Sequence, residues 1–513
     1  MNYQDYITDL HLNLHPNQID LLPKWYEHSK RVVDFFTLAY YPYHMVQCPG
    51  GFKAEEEIDS KLMQEQWAFI KEYLGTKNKT DNYISFIGYE WQGTGEDGDH
   101  NIYFKNDQQA TIQLPPRYQD LVRIFQNHAV MGIPHHLAYS LGNRGKNWAT
   151  HDEQFSPFVE IYSHHGSSER DMTNLTMERH IHMGPRIEDT SVVSGLKQGK
   201  HFGIIASGDN HEVPAMVKYG RAGIWASDYS KEAIWEAFKE RRTYGFTDSK
   251  ISVWMQCADH PMGSIFSTDQ KELTIEVATV ANGKIERIEL YKNGELDQIH
   301  LGKSGSQSDD LTPVKVKLRL ECGWGPNVKF FPEFNEKIWQ GELVVDGKII
   351  SVEQVYSSFD NSYERINEQK ISFQAKSQKN SGDHWMRDGA MRNEGFIFEI
   401  EAVPSAKVSL TINGRQEDYQ VSDLLHTSQL IVFEDEAKEL MKEQAGLEEY
   451  YRSDSWYHNA YKVKLYQAAT EEQYKVTDQF VVPVNEEETS YFIKIVQSDG
   501  QVAWGSPIWI TKQ

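Results

Sequence analysis

The sequence predicts two fold classes in succession: α/β over residues 1–249, then an antiparallel, sandwich-like β-rich region over 250–513. In the first part short apolar runs alternate with stretches of helical periodicity, the pattern of strand–helix–strand units around a parallel sheet. After residue 250 the text changes to strict two-residue alternation broken by turn signals, which is the signature of antiparallel sheet. A chain of 513 residues also exceeds what one hydrophobic core usually supports, so at least two domains are expected.

Taken in order, the apolar runs 32–39, 83–88, 129–133, 158–162 and 202–207 read as buried strands. Residues 55–74 and 117–127 carry apolar side chains at helical spacing, and 188–198 ends at Gly199, a C-cap signal before the next strand. An amphipathic helix over 231–240 ends in Arg241 and Arg242, cations that favour its C-terminal dipole. Beyond it, 273–277 alternates strictly, and 285–295 reads as a strand entering a hairpin at Asn293-Gly294. Further strands are expected at 314–320, 340–356, 395–402, 406–412 and 490–511, with a surface loop at 303–309. Trp504 and Trp509 read as core, and the acidic runs Glu55-Glu56-Glu57 and Glu486-Glu487-Glu488 as solvated.

Composition narrows the function classes. Lys and Arg total 52 against 75 Asp and Glu, a net charge of −23, so the bulk field repels polyanions and nucleic acid is not expected as a partner. Cys48, Cys257 and Cys322 lie far apart without CxxC spacing, which argues against a disulfide framework or a thiolate zinc site and for a reducing compartment. The first residues lack a secretory pattern and no run has the apolar length of a membrane span, so the expectation is a cytoplasmic, soluble protein without a membrane partner. Nothing in the composition bears on oligomeric state.

Fifteen of the twenty histidines fall within the first 211 residues, and seven of them lie in short clusters interspersed with acids: Asp9-Leu10-His11, Gly88-Tyr89-Glu90, Asp99-His100, Pro134-His135-His136, Ser163-His164-His165 and Asp209-Asn210-His211. Imidazole and carboxylate suit Zn, Mn and Fe, and the clusters follow or end predicted strands, so folding is expected to gather them into a site for one or two divalent ions. A histidine pair at a strand end presents its rings to opposite sides if alternation continues. At His164-His165 one ring is thus expected in the site and one in a structural role; of Pro134-His135-His136, His135 is taken as the ligand, with His136 as the other choice. Asn13, His15 and His44 are possible additional site residues.

These phrases, together with Asp34-Phe35, His100-Asn101-Ile102-Tyr103-Phe104, Val159-Glu160-Ile161-Tyr162-Ser163, His165-Gly166-Ser167-Ser168-Glu169, Arg241-Arg242-Thr243-Tyr244 and Ala503-Trp504-Gly505-Ser506-Pro507-Ile508-Trp509, resemble the PHP (polymerase and histidinol phosphatase) superfamily, in particular its DUF3604 branch. The resemblance implies a distorted (β/α)7, TIM-like barrel with metals at the strand ends. It implies His11, Glu90, His100, His135, Asp209 and His211 as metal ligands. Two departures stand out. The second histidine of the opening motif is Asn13, and the Thr-Asp-His after the second strand reads Ala39-Tyr40-Tyr41. A phenol must lose a proton with pKa near ~10 before it binds a divalent metal well, so one or two ions are expected rather than three.

The function expected is therefore a metal-dependent hydrolase, phosphoesterase-like, acting on a small anionic ester through metal-bound hydroxide, with His135, His165 or His100 as the catalytic histidine that orients or protonates the leaving oxygen. The alternative is a catalytically degenerate barrel that binds a ligand such as a carbohydrate, motivated by the losses at Asn13, Tyr40 and Tyr41.

Overall fold

The computed structural model describes residues 3–51, 53–171, 173, 175, 186–209, 211, 219–305, 311–326, 336–355, 360–378, 393–446 and 454–513. Strands and helices alternate through the first 246 residues: β1 (Gln4–Thr8), β2 (Asn13–Leu14), α1 (Leu22–Ser29), β3 (Phe36–Tyr40), β4 (Tyr43–Gln47), β5 (Lys53–Glu57), α2 (Ser60–Thr80), β6 (Ser85–Trp91), β7 (His100–Phe104), α3 (Tyr118–Phe125), β8 (Val130–Pro134), β9 (Phe158–Ser163), β10 (Gly166–Ser167), α4 (Val192–Lys197), β11 (Gly203–Ala206), β12 (Arg221–Ala226), α5 (Lys231–Lys239) and β13 (Thr243–Phe246). The class is mixed α and β, with strands predominating.

The sheet is parallel only in part. β2, β3 and β6 run parallel, as do β9 and β11, but β7 returns antiparallel to β6, and β8 antiparallel to β7. The physical reason lies in the connection, because only residues 92–99 separate β6 from β7, too few for the crossover that a parallel neighbour requires. Among the described residues the strand pairing falls into separate sheets rather than one hydrogen-bonded ring. Hydrogen bonds outside the strand ladders bridge them, among them Gly132 N to Phe155 O at 2.9 Å, Thr243 Oγ1 to Ile204 O at 3.0 Å, and Asp34 N to Ile7 O at 2.8 Å.

Three local expectations are corrected. The helix predicted from residue 55 begins at Ser60, where the Asp59 carboxylate accepts from Lys61 N at 3.0 Å and Leu62 N at 3.2 Å, a side-chain N-cap. Residues 53–57 instead form the second arm of a β4–β5 hairpin. Glu55 is not a solvated charge, since it is ion-paired to Arg144 and accepts from the Tyr41 hydroxyl at 2.5 Å. Arg241 adopts a left-handed φ of 58° past the end of α5 and donates to Gly263 O at 2.9 Å, while Arg242 donates to Trp225 O at 3.2 Å and pairs with Glu236.

Strands on either side of residue 249 share one sheet. β1, β12 and β13 continue through Val502–Gly505, Thr489–Gln497, Ile285–Lys292 and Glu295–Leu301, with Gly245 opposite Trp504. The last two strands form the expected hairpin, with Asn293 at φ 50° and Gly294 at φ 79° in the turn. A core containing Trp148, Val159, Ile204, Tyr291, Trp504 and Trp509 packs across this junction, and Glu169 within it accepts from Lys494 Nζ at 2.7 Å and Trp504 Nε1 at 2.9 Å. A separate core, from Val316 to Ala468, lies between two antiparallel sheets and makes a second sandwich. The loop expected at 303–309 lies partly outside the described residues. Among the described residues no helix is long and apolar enough to cross a membrane.

Candidate metal centre

The strand ends converge. Asp9 and His11 follow β1, Asn13 lies on β2, Glu90 near the end of β6, Asp99 just before β7, His135 and His136 after β8, Glu160 within β9, His165 after it, and Asp209 with His211 after β11. All are buried except His211, whose side chain is 25% exposed at the edge of the group. Three overlapping trios each bring one ligand atom per residue within 4.8 Å of the others: His11, Glu90 and His135; Asp99, His135 and His136; His136, His165 and Asp209.

His11 sits at the middle. Its Nε2 faces Asp209 Oδ1 at 3.3 Å and Glu90 Oε2 at 3.5 Å, and its Nδ1 faces Glu160 Oε2 at 2.9 Å. The His135 ring stacks on it at 4.0 Å, and His136 stacks on His135 at 4.4 Å. Asp209 also meets His165 Nε2 at 2.8 Å and His211 Nε2 at 3.1 Å. Asn13 Nδ2 reaches Asp209 Oδ1 at 3.4 Å and His211 Nε2 at 3.3 Å, and His15 Nε2 lies 3.0 Å from His211 Nδ1.

The backbone is strained where the site needs it. His136 and Asp209 have φ of 35° and 50°, left-handed values that few non-glycine residues adopt. Gly208 packs so closely that a Cβ there would stand 2.3 Å from Asp9 Oδ2, and its N–H donates to Asp9 Oδ1 at 2.8 Å.

Several buried polar atoms in this group have no hydrogen-bond partner, among them His135 Nε2, His136 Nδ1, Asp99 Oδ1, Asn13 Oδ1 and Asp9 Oδ2. Burial without a partner is costly for each, and a divalent cation is the group that nitrogen and oxygen donors of this kind would jointly satisfy. The electrostatics agree. Burial, with His11 beside His135 and His165 beside His136, pushes both imidazoles well below their usual range into the neutral, ligating form. Burial opposes charge on His11 and Asp209, yet Asp209 and Glu160 hold His11 well above its usual range, while His11 and His165 hold Asp209 well below. Burial and the neighbouring His211 push His15 down to about 3.

Three predicted residues, His100, His44 and His164, are not gathered in. His100 is turned away, with Nδ1 on Gly98 O at 2.9 Å, Nε2 on Lys146 Nζ at 3.2 Å and its ring stacked on Tyr118 at 4.5 Å. His44 is exposed on the β4–β5 hairpin, opposite Glu56. His164 lies against Tyr219, ring centroids 4.8 Å apart, and Asn210 is outside the described residues.

Sequence reasoning missed four side chains. Glu160 bonds His11, accepts from Ser207 Oγ, and accepts the His136 N–H at 3.1 Å. Asp99 Oδ2 lies 3.6 Å from His136 Nε2 and 2.9 Å from Arg144 Nη1. Arg144 also reaches Glu55, and donates to Gln92 Oε1 at 3.1 Å. Tyr139 places its hydroxyl 2.7 Å from His165 Nδ1. A carboxylate inside the apolar run 158–162 was the available signal for Glu160, since a buried acid needs partners.

No family model matches the chain. It is 25% identical over 321 residues to an uncharacterized protein of Chlamydia pneumoniae, covering 56% of this chain and 51% of that protein. An uncharacterized protein of Chlamydia trachomatis is 24% identical over 318 residues, with the same coverage of 56% and 51%. The chain thus spans about half the length of the curated relatives it matches. Among solved structures it is similar to a two-domain protein from Bacteroides vulgatus described as containing a predicted PHP-like metal-dependent phosphoesterase, with 11% identity, a TM-score of 0.31, and coverage of 82% of this chain and 95% of that one.

Proposed function

We propose that the chain is a metal-dependent hydrolase of phosphoesterase type acting on a small anionic ester. Residues 1–249 are read as the metal-bearing unit, a distorted PHP-type barrel in the cytoplasm, and 250–513 as its β-rich companion. The observation that supports this reading is the set of three overlapping ligand trios, with His135 Nε2, His136 Nδ1 and Asp99 Oδ1 buried and without hydrogen bonds. His11, Glu90, His135, His136, His165 and Asp209 are the residues that would hold one or two divalent ions of Zn, Mn or Fe. When bound, such an ion supplies positive charge for an anionic ester and acidifies water for attack at neutral pH.

The chain's own residues have separable tasks. Glu160 orients His11 through Nδ1, leaving Nε2 aimed at Glu90 and Asp209. His165 is oriented by two neighbours, with Asp209 2.8 Å from Nε2 and the Tyr139 hydroxyl 2.7 Å from Nδ1. His211 and His15 line the edge where solvent reaches the group. The test is elemental analysis of protein purified without chelator, followed by turnover on a phosphomonoester, phosphodiester and sulfoester panel. Asp209→Asn is expected to lose both metal and turnover. Full activity in that variant would overturn the reading.

A second reading, a degenerate barrel that binds a ligand without hydrolysing it, draws on Tyr41. Its hydroxyl donates to Glu55 and accepts from Gln92 Nε2 at 2.9 Å, and burial pushes its pKa well up, so it is a neutral phenol and not a ligand. A protein that stays metal-free after addition of Zn, Mn or Fe would favour that reading.

A further inference from the structure

The outer face of the sheet formed by Ile251–Cys257, Glu272–Ala281 and Lys475–Pro483 carries a trough of about 460 Å³, far in sequence from the metal ligands. Strand register sets its shape. One cross-strand row is Trp254, Ala278 and Thr477, so a large indole stands beside two small side chains. The next row is Gln256, Glu276 and Gln479, a rail of planar polar groups across all three strands. Glu276, Thr477 and Gln479 are exposed and Trp254 is half-buried, so the row is open to solvent.

The side chains are ordered among themselves. Trp254 Nε1 donates to Gln256 Oε1 at 3.3 Å, and Gln256 Nε2 donates to Glu276 Oε2 at 2.6 Å. Trp225 packs edge-on against Trp254 at 5.1 Å, and Trp225 is itself anchored by donating to Val253 O at 2.8 Å. An indole held from behind, over a floor of small residues and beside a row of fixed donors and acceptors, matches a pyranose, which offers one apolar C–H face and a rim of hydroxyls.

Charge selects among ligands. Glu276 presents a carboxylate to the trough and the lining has no Lys or Arg, while Asp478 turns to the other face to meet His300 Nδ1 at 2.9 Å, so a phosphate, sulfate or uronate would be repelled.

We propose that this trough binds a neutral saccharide, one ring against Trp254 and its hydroxyls hydrogen-bonded by Gln256, Glu276 and Gln479. The site is independent of the metal centre. The test is calorimetry and tryptophan fluorescence on the full chain with neutral tetrasaccharides of glucose (α- and β-linked), xylose, mannose and N-acetylglucosamine, and with a tetra-uronate as the charged control. At least one neutral sugar is expected to bind with Kd on the order of 0.01–1 mM, and Trp254→Ala to weaken it at least about tenfold. Ala278→Arg fills the floor while leaving the aromatic packing intact, and is expected to weaken binding equally with metal content unchanged. The proposal is overturned if no neutral sugar binds at millimolar concentration, if both variants bind as the parent does, or if the uronate binds as tightly.

Discussion

His11 and Glu160, 149 positions apart in sequence, meet at 2.9 Å through Nδ1 and Oε2, both side chains buried. A carboxylate on the second nitrogen fixes the tautomer and orientation of an imidazole ligand. Replacing Glu160 by Gln should therefore weaken metal binding by about 10–100-fold while the fold persists. Competition with a chromogenic chelator measures this, and an unchanged affinity would show that Glu160 is only packing.

His100 and His135 separate a ligand from a bystander. His100 faces Lys146 and Gly98, whereas His135 Nε2 is buried without a hydrogen bond among the other donors. His100→Gln is expected to keep its metal stoichiometry, and His135→Gln to lose at least one equivalent. Loss of metal in both, with both folded by circular dichroism, would return His100 to the site.

Lys494 and Glu169 form a buried ion pair, 5% and 0% exposed, between a C-terminal strand and the loop after β10. Removing one partner strands a buried charge, so Lys494→Met should cost about 3–5 kcal/mol. The double variant with Glu169→Gln should recover part of that loss in a denaturant titration. A double-variant loss equal to the sum of the two single losses would mean that the pair is not coupled.

His201 links the N-terminal half of the chain to the C-terminal half through Glu153 at 3.0 Å and Glu488 at 2.7 Å. The Glu153 hydrogen bond leads in raising the His201 pKa above 6.5; burial opposes ionisation of Glu153, but His201 lowers its pKa below 4.5. A raised histidine stabilises below its unfolded value and loses that contribution as pH rises through its folded value, and a lowered carboxylate stabilises above its unfolded value. His201→Gln should thus destabilise most near pH 5.5 and little at pH 9, by under about 1 kcal/mol because both carboxylates are about a third exposed. Urea unfolding at the two pH values checks this, and an equal effect at both would remove the electrostatic account.

Periodicity made most strands visible, because β3, β6, β8, β9 and β11 are apolar on both faces and the later strands alternate. Strand direction was not visible in the same way. Nothing in the run His100–Phe104 distinguishes a parallel from an antiparallel neighbour, and the shortness of the loop before it was the only clue. Site parity was equally hidden. Asp99 and His100 are adjacent, and alternation sends one to the donors and the other away without saying which. At His135 and His136 the left-handed φ of the second residue breaks the alternation, so both rings join the stack. Glu160 escaped because it reads as one polar letter in a buried strand, although its three bonds make it a hub.

The sheet that joins β13 to Val502–Gly505 has a consequence for the order of synthesis. Thr243 and Ser506 are hydrogen-bonded partners 263 positions apart. At about 5–20 residues per second, a ribosome needs some tens of seconds to deliver the second after the first. For that interval β13 is an open strand edge, and nascent chains stalled before residue 500 should be the species that chaperones hold.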